Sequence, residues 1–273
     1  MKIGVPTEIK NNERRVGLVP SAAEKVIAAG HEVFLQAGAG EGAGFSDSEY
    51  TDVGVTILPT AQELYKTAEM IVKVKEPLGQ DLDLLESRHL LFCYLHLAAE
   101  PKLVERLKDI GLTAVAFETV EEDGKTPLLA PMSAIAGRLA TQIGTWYLHA
   151  PRGGRGVLMG GITGRKGPNV TVIGAGISGY EAASLAHNMG ANVTIMDINE
   201  ERLSRMEKEF PGMKAVVSTP QSISVILPQT DLLVGAVYVV GKKAPTVVTA
   251  EQIKTMPEGS VAVDISIGQG GCL

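Results

Sequence analysis

The chain has 273 residues, 45% of them hydrophobic and 21% charged, with a formal net charge of −6. That is apolar material enough for two cores of ordinary size, and the acidic balance carries no nucleic-acid footprint. No apolar run reaches the roughly 18 residues of a membrane helix, and the two cysteines, Cys93 and Cys272, form neither a disulfide framework nor a metal-spaced set. The opening Met1-Lys2-Ile3-Gly4-Val5-Pro6 is broken too soon for a signal peptide. A cytoplasmic protein without nucleic acid, membrane or metal as a partner is expected.

In chain order, Ile3–Val5 reads as a short strand running into the polar loop Glu8–Arg15. Ser21 with Glu24 three residues on has capping-box spacing, which predicts a helix opening there and closing at Gly30. Strands follow at 32–35, 55–58, 70–74, 90–95 and about 113–117, with helices near 61–67 and 101–109. The glycine-rich stretch Gly38–Ala43 fits a loose nucleotide-turn pattern. It reads as a plain loop, because no sustained apolar helix follows and the next strand ends in Pro59 rather than an acid. Strands alternating with helices of about ten residues predict a doubly wound parallel sheet.

From Pro131 to His149 the pattern turns helical, with Ile135, Leu139, Ile143 and Tyr147 spaced by four, predicting one long helix able to link two domains. A second doubly wound domain follows, with strands at 170–173, 193–196, 215–217, 231–238 and 260–267. Five strands are one short of the usual dinucleotide-binding sheet, which leaves 260–267 as an unpaired edge. The expected boundary puts a substrate domain at 1–128 and a Rossmann-like nucleotide domain at 129–273.

The stretch Asn169–Asp197 carries the sharpest chemistry. A strand meets Gly174-Ala175-Gly176-Ile177-Ser178-Gly179, a helix runs to Met189, and a second strand ends in Asp197, twenty-one residues after Gly176. Gly174 suits the tight turn, Gly176 lets backbone approach a pyrophosphate, and Gly179 lets helix and strand pack closely. The helix N-terminus offers free N–H groups to phosphate. An acid at position 197 accepts from ribose hydroxyls and repels a 2′-phosphate, so NAD is expected over NADP.

Over nearly its whole length the chain resembles the alanine dehydrogenases. The matching stretches are Gly4–Lys10 (GVPTEIK), Glu13–Val16 (ERRV), Val72–Pro77 (VKVKEP), Tyr94–Ala98 (YLHLA), Leu128–Gly137 (LLAPMSAIAG), the Gly174–Gly179 turn, Gly235–Pro245 (GAVYVVGKKAP) and Gln269–Cys272 (QGGC). The related nicotinamide nucleotide transhydrogenase subunit shares the opening and the glycine turn but not YLHLA. The resemblance implies substrate and catalytic roles for Arg15, Lys75 and His96. Strand-end placement agrees with it, since ligands of open α/β sheets sit beyond the carboxyl ends of the strands. Arg15 can fork a carboxylate, Lys75 can fix a carboxylate or developing carbonyl, and His96 can move a proton near neutral pH. Taken alone, Arg15 and Lys75 also read as solvated charges, and His96 equally as a core histidine. His31, His89, His149 and His187 read as structural.

In the second domain the resemblance implies Ser133, Asp197, Arg202 and Ser218 around the nucleotide, with Val237 and Tyr238 near the adenosine or ribose; Ser218 also reads as plain polar surface. The implied reaction is NAD-dependent oxidative deamination of L-alanine to pyruvate and ammonium by a homo-oligomer, in this family a hexamer. Two departures matter. The family has a catalytic Asp where this chain has Gly268, and the sequence stops at Leu273, before the family's sixth strand. An impaired enzyme is therefore expected, with a non-catalytic NAD-binding protein or a transhydrogenase-like subunit as the alternative. Asp264, four residues back along a strand, lies roughly 13 Å from position 268 and is not expected to compensate.

Overall fold

The computed structural model describes residues 1–239 and 241–273; Val240, inside the Gly235–Pro245 stretch, lies outside the described residues. The chain divides into two compact units, Met1–Thr126 and Pro127–Leu273. In the first, β1 (Lys2–Val5), α1 (Pro20–Ala28), β2 (Glu32–Gln36), α2 (Asp47–Thr51), β3 (Thr56–Leu58) and α3 (Ala61–Thr67) are followed by β4 (Met70–Val72), α4 (Gln80–Leu84), β5 (Leu90–Cys93), α5 (Pro101–Ile110) and β6 (Thr113–Ala116). The strands form one parallel sheet in the order β3-β2-β1-β4-β5-β6. The order reverses beside β1, so the loops after β1 and β4 leave in opposite directions and open a crevice at their carboxyl ends.

Successive strand residues face opposite sides, which makes two cores from one sheet. On β4, Ile71 joins Leu64, Leu91 and Leu107 on one face, while Val72 joins Val5, Val33 and Leu35 on the other. Fully burying such a side chain contributes about 1.5–3 kcal/mol. Helix α1 does not open at Ser21. Its N-cap is Val19, Pro20 occupies the first turn, and no side chain caps the end. Proline's fixed φ preorganises that turn and its missing N–H is no loss there, so proline rather than the serine–glutamate pair sets the start. The capping box lies instead at α2, where Ser46 and Glu49 satisfy each other's backbone N–H groups.

In the second unit the elements are α6 (Ala130–Tyr147), β7 (Asn169–Ile173), α7 (Ile177–Asn188), β8 (Asn192–Asp197), α8 (Glu200–Glu209), β9 (Lys214–Val217), α9 (Pro220–Ile226), β10 (Leu232–Gly235), α10 (Ala250–Ile253) and β11 (Val261–Asp264). Their parallel sheet runs β11-β10-β7-β8-β9, again reversing beside its first strand. Among the described residues β11 pairs with β10 alone, and a groove of about 580 Å³ runs along it past Ile143, Tyr147 and Arg152. The edge is therefore where the strand count placed it. The expected strands 231–238 and 260–267 are shorter than read; the chain turns away after Gly235 and Asp264.

Helix α6 belongs to this unit, packing on α7, β10 and β11. Its inward face is built of small residues, Gly137, Ala140, Thr141 and Gly144. A Cβ at Gly137 would lie 2.1 Å from the Ser178 carbonyl oxygen, and one at Gly144 2.5 Å from Leu232. The stripe spaced by four points outward: Ile135, Leu139, Ile143 and Tyr147 are 51, 46, 46 and 47% exposed. Periodicity identified the helix and its apolar stripe but not the face it buries, because close helix approach rather than apolar area decides the packing here.

Candidate active site

Three adjacent strands of the first sheet bring Arg15, Lys75 and His96 to one edge. Arg15 lies in the loop between β1 and α1, Lys75 beyond β4, and His96 beyond β5. The Arg15 guanidinium forks onto Glu13, Nε to Oε1 at 2.8 Å and Nη2 to Oε2 at 2.6 Å. Those bonds hold the Glu13 carboxyl down at about 2. Lys75 is mostly buried, with Nζ 3.2 Å from Glu76 Oε2, and Lys10 pairs with the other oxygen of that carboxylate. Burial pushes Glu76 up, but Lys10, its own backbone N–H and Lys75 together outweigh it and its carboxyl sits below the usual range.

His96 has the left-handed backbone conformation, φ 50° and ψ 34°. A non-glycine residue there stores strain of order 1–3 kcal/mol, which the surroundings must hold. Its ring stacks on Tyr94, centroids 6.1 Å apart and planes 14° apart, and its Nδ1 is buried without a hydrogen-bond partner among the described residues. Burial lowers the imidazole below its ordinary value, the Lys75 charge lowers it further, and Glu118 and Glu76 oppose them. The net shift keeps the ring neutral at pH 7, ready to accept a proton. Tyr94 links the two ends of the site. Burial raises its phenol while the nearby Arg15 charge pulls it down.

Behind these residues stands a layer that the sequence reading did not single out. Glu8, its side chain 3% exposed, accepts from the backbone N–H groups of Val74 (2.6 Å) and Lys75 (3.3 Å). Lys73, 1% exposed, sits 3.5 Å from Glu8 and 2.9 Å from Asp81, and the Tyr65 hydroxyl donates to Asp81 at 2.9 Å. Burial pushes the Glu8 carboxyl up, against the pull of Lys73 and the two N–H groups. Glu118, also buried, accepts from Leu95 N–H at 3.2 Å and from His96 N–H at 2.6 Å. Glu8 and Lys73 stand inside two of the quoted stretches, but Glu8 meets its backbone partners 66 and 67 residues away. His89 is structural, its Nδ1 taking the Glu86 N–H at 2.8 Å and its Nε2 bonding the Tyr65 carbonyl.

In the second unit the glycine turn follows β7. Gly174 has φ +103°, and a Cβ there would meet the Ala236 carbonyl oxygen at 2.5 Å; a Cβ at Gly179 would lie 1.6 Å from the Gly174 carbonyl oxygen. A Cβ at Gly176 would meet nothing within 4 Å among the described residues, and no side chain caps the N-terminus of α7 that it begins. Bare N–H groups facing open space at a positive helix end fit a diphosphate. Ser133 lies one turn before Gly137 on the α6 face that crosses α7 at Ser178.

Asp197 ends β8, its Oδ2 accepting from Ala175 N–H at 2.5 Å and its Oδ1 from Asn199 N–H at 2.8 Å. Each oxygen keeps a lone pair for a ribose hydroxyl. Arg202 Nη1 stands 3.9 Å from Asp197 Oδ2, and Ser218 N–H donates to the Asp197 carbonyl at 2.9 Å. Val237 and Tyr238 follow β10, the neighbour of β7, and the Val237 carbonyl accepts from Ser266 Oγ. Apart from Ser133 on α6, the residues expected to meet the nucleotide lie at or just beyond the carboxyl ends of strands of one sheet. At the end of β11, Asp264 is wholly engaged with the loop that follows, accepting from Ser266, Cys272 and Leu273 N–H groups at 2.8, 2.7 and 3.1 Å. A Cβ at Gly268 would meet nothing within 4 Å among the described residues.

Known proteins arrange the same parts in the same order. The alanine dehydrogenase/PNT N-terminal domain matches residues 4–136, and the alanine dehydrogenase/PNT C-terminal domain matches residues 140–273. An alanine dehydrogenase of Methanococcus maripaludis is 46% identical over the whole chain and 74% of its own length. One of Bacillus subtilis is 47% identical over 99% of this chain and 72% of its own. A solved L-alanine dehydrogenase superposes with a TM-score of 0.90 at 48% identity, covering all of this chain and 76% of the other. A transhydrogenase structure from Sinorhizobium meliloti, 24% identical with a TM-score of 0.81, shares the fold. With both domains matched in order across the strand ends just described, the chain belongs to the alanine dehydrogenase/PNT family.

Proposed function

We propose that the protein is an NAD-dependent L-alanine dehydrogenase, converting L-alanine, NAD⁺ and water to pyruvate, ammonium, NADH and a proton. The observation that carries this reading is His96: a half-buried, neutral imidazole whose buried Nδ1 has no partner among the described residues, beside a mostly buried lysine at the strand ends of a parallel sheet. When bound, NAD supplies the hydride acceptor for the substrate Cα. Gly174, Gly176, Gly179, Asp197, Arg202, Ser218, Ser133, Val237 and Tyr238 are the residues assigned to hold it. Arg15 binds the substrate carboxylate, exchanging its fork from Glu13 to the ligand. Lys75 anchors the carboxylate or the developing carbonyl oxygen. His96 takes a proton from the water that attacks the imine carbon after hydride loss, then returns it as ammonia departs.

Gly268 favours a second reading. It provides no carboxylate where the family resemblance implies a catalytic one, so an NAD-binding chain with little turnover, or a transhydrogenase-like subunit, is the alternative. Alanine-dependent NADH formation by the 273-residue chain, run beside NAD binding by calorimetry, separates them. Turnover supports the dehydrogenase; tight binding without turnover supports the alternative. Gly268→Asp sharpens the answer, because position 268 has open space and needs no positive φ; a gain in turnover at unchanged melting temperature reads the carboxylate alone.

No helix among the described residues is long and apolar enough to cross a membrane. A cytoplasmic homo-oligomer is the assembly we propose, a hexamer by resemblance. The exposed apolar stripe of α6 supports association, and sedimentation of the purified chain tests it; a monomer at micromolar concentration removes the proposal.

A further inference from the structure

Four neighbouring strands of the first sheet, in the order β1-β4-β5-β6, end in a mirrored arrangement. Glu8 follows the outer strand β1 and reaches the chain leaving β4; Glu118 follows the outer strand β6 and reaches the chain leaving β5. Each is buried, and each accepts from two consecutive backbone N–H groups: Val74 and Lys75 for Glu8, Leu95 and His96 for Glu118. The second residue of each pair is a candidate catalytic side chain. We propose that Glu8 and Glu118 are paired positioning residues: from the flanking strands they fix the peptides that carry Lys75 and His96, and so set where those side chains point. The proposal deepens the dehydrogenase reading and rests on it for the roles of Lys75 and His96.

Three observations favour positioning over general core packing. A carboxylate is a costly way to fill buried space, since removing a charge from water is repaid only by specific partners. The partners here are backbone donors at the two strand ends that carry candidate catalytic groups, where ladder bonding stops and the chain would otherwise choose its own path. At His96 the path is one a non-glycine residue avoids, φ 50°, and the bond holding it is the 2.6 Å contact to Glu118. Released, residue 96 relaxes toward an ordinary conformation and swings its ring away from the site. Glu8 differs in having a buried counter-charge, Lys73, held in turn by Asp81. Glu118 instead leaves its negative charge acting on the imidazole, together with Lys75, Glu76 and Lys10.

The test uses the 273-residue chain, histidine-labelled for NMR, with Glu118→Gln, Glu118→Ala and Glu8→Gln. Glu118→Gln keeps one acceptor and the shape but removes the charge, and it should lower the His96 titration midpoint by about one pH unit, the low end of a contact-range charge effect. Glu118→Ala should speed amide exchange at Leu95 and His96 about tenfold, the factor expected for an ordinary hydrogen bond, leaving amides of β2 and β3 at parental rates. Glu8→Gln should do the same at Val74 and Lys75 alone. Unchanged His96 titration in the glutamine variant with unchanged local exchange overturns the proposal, as does exchange that rises equally across the whole unit. If Glu118→Ala does not fold, the glutamine variant's titration decides by itself. These readouts need neither substrate nor turnover. Local effects as stated in a parent chain that neither binds pyruvate nor forms NADH keep the positioning and remove the dehydrogenase reading. An active parent whose variants show none of them does the reverse.

Discussion

The two units share a plan, a parallel sheet whose strand order reverses beside its first strand, yet they furnish that crevice in opposite ways. The first fills it with side-chain charge: Arg15, Lys75 and His96 in front, Glu8, Lys73, Asp81 and Glu118 behind. The second clears it of side chains, with Gly174 and Gly179 packed backbone to backbone and room for a Cβ at Gly176. The difference follows from what each must hold. A small charged substrate is gripped by side chains, which need buried partners to keep their geometry. A long diphosphate is met by backbone N–H groups, which need room. The first unit should therefore suffer most from lost charge at constant volume, and the second from added volume at constant charge.

The largest effect should come from cutting the charged layer. Lys73→Ala strands Glu8 and Asp81 in the core, and breaking a buried ion pair costs about 3–5 kcal/mol. Urea unfolding of the first unit should show that loss, and a change inside the error of the extrapolation would remove Lys73 from the argument. Gly179→Ala is the counterpart. With its Cβ 1.6 Å from the Gly174 carbonyl oxygen, it should cost about 3 kcal/mol of overpacking and abolish NAD binding. Gly176→Ala, with nothing within 4 Å, should leave the melting temperature alone and weaken NAD only. Equal behaviour of the two alanines would break the contrast between packing and clearance.

Asp197→Ala should weaken NAD by about 1–3 kcal/mol, the scale of leaving polar partners unmade. NADP should be hurt less, since the acid that opposes its 2′-phosphate is gone; calorimetry with both cofactors measures the pair. The smallest effect is electrostatic. Glu13 is depressed to about 2 from an ordinary 4.5 by its bonds to Arg15. A depressed carboxyl contributes stability that is full above the unfolded value and vanishes as pH falls through the folded one. Glu13→Gln should therefore destabilise by under about 1 kcal/mol at pH 7, because the pair is partly exposed, and by little at pH 2, where the folded carboxyl is already half protonated. A mutant deficit that persists at pH 2 would show that packing, not charge, is what Glu13 provides.

Much of the fold could be read from the chain itself. Every strand of both sheets lay where an apolar run met a turn residue, and α7 was bracketed by Gly176 and Gly190. Helices α2, α4 and α9 passed unnoticed; five to seven residues show little of a 3.6 period, although the equally short α3 was legible. Ser21 misled because capping-box spacing recurs by chance, and Pro20 beside it held the stronger local preference.

The amino-acid sequence by itself determined the alternation of strand and helix, the glycine turn with its acid at 197, and the ordered motifs that tie Arg15, Lys75 and His96 to strand ends. These are properties of neighbours within one or two turns of chain, and propensity, period and spacing record them. The tertiary structure alone decided which face α6 buries, that Asp264 ties down its own loop instead of facing the site, and that Glu8 and Glu118 hold the peptides of Lys75 and His96. Those depend on partners up to 67 residues apart and on how closely two backbones approach. No local pattern carries that information, because a buried carboxylate and a solvated one look alike until the chain folds around them.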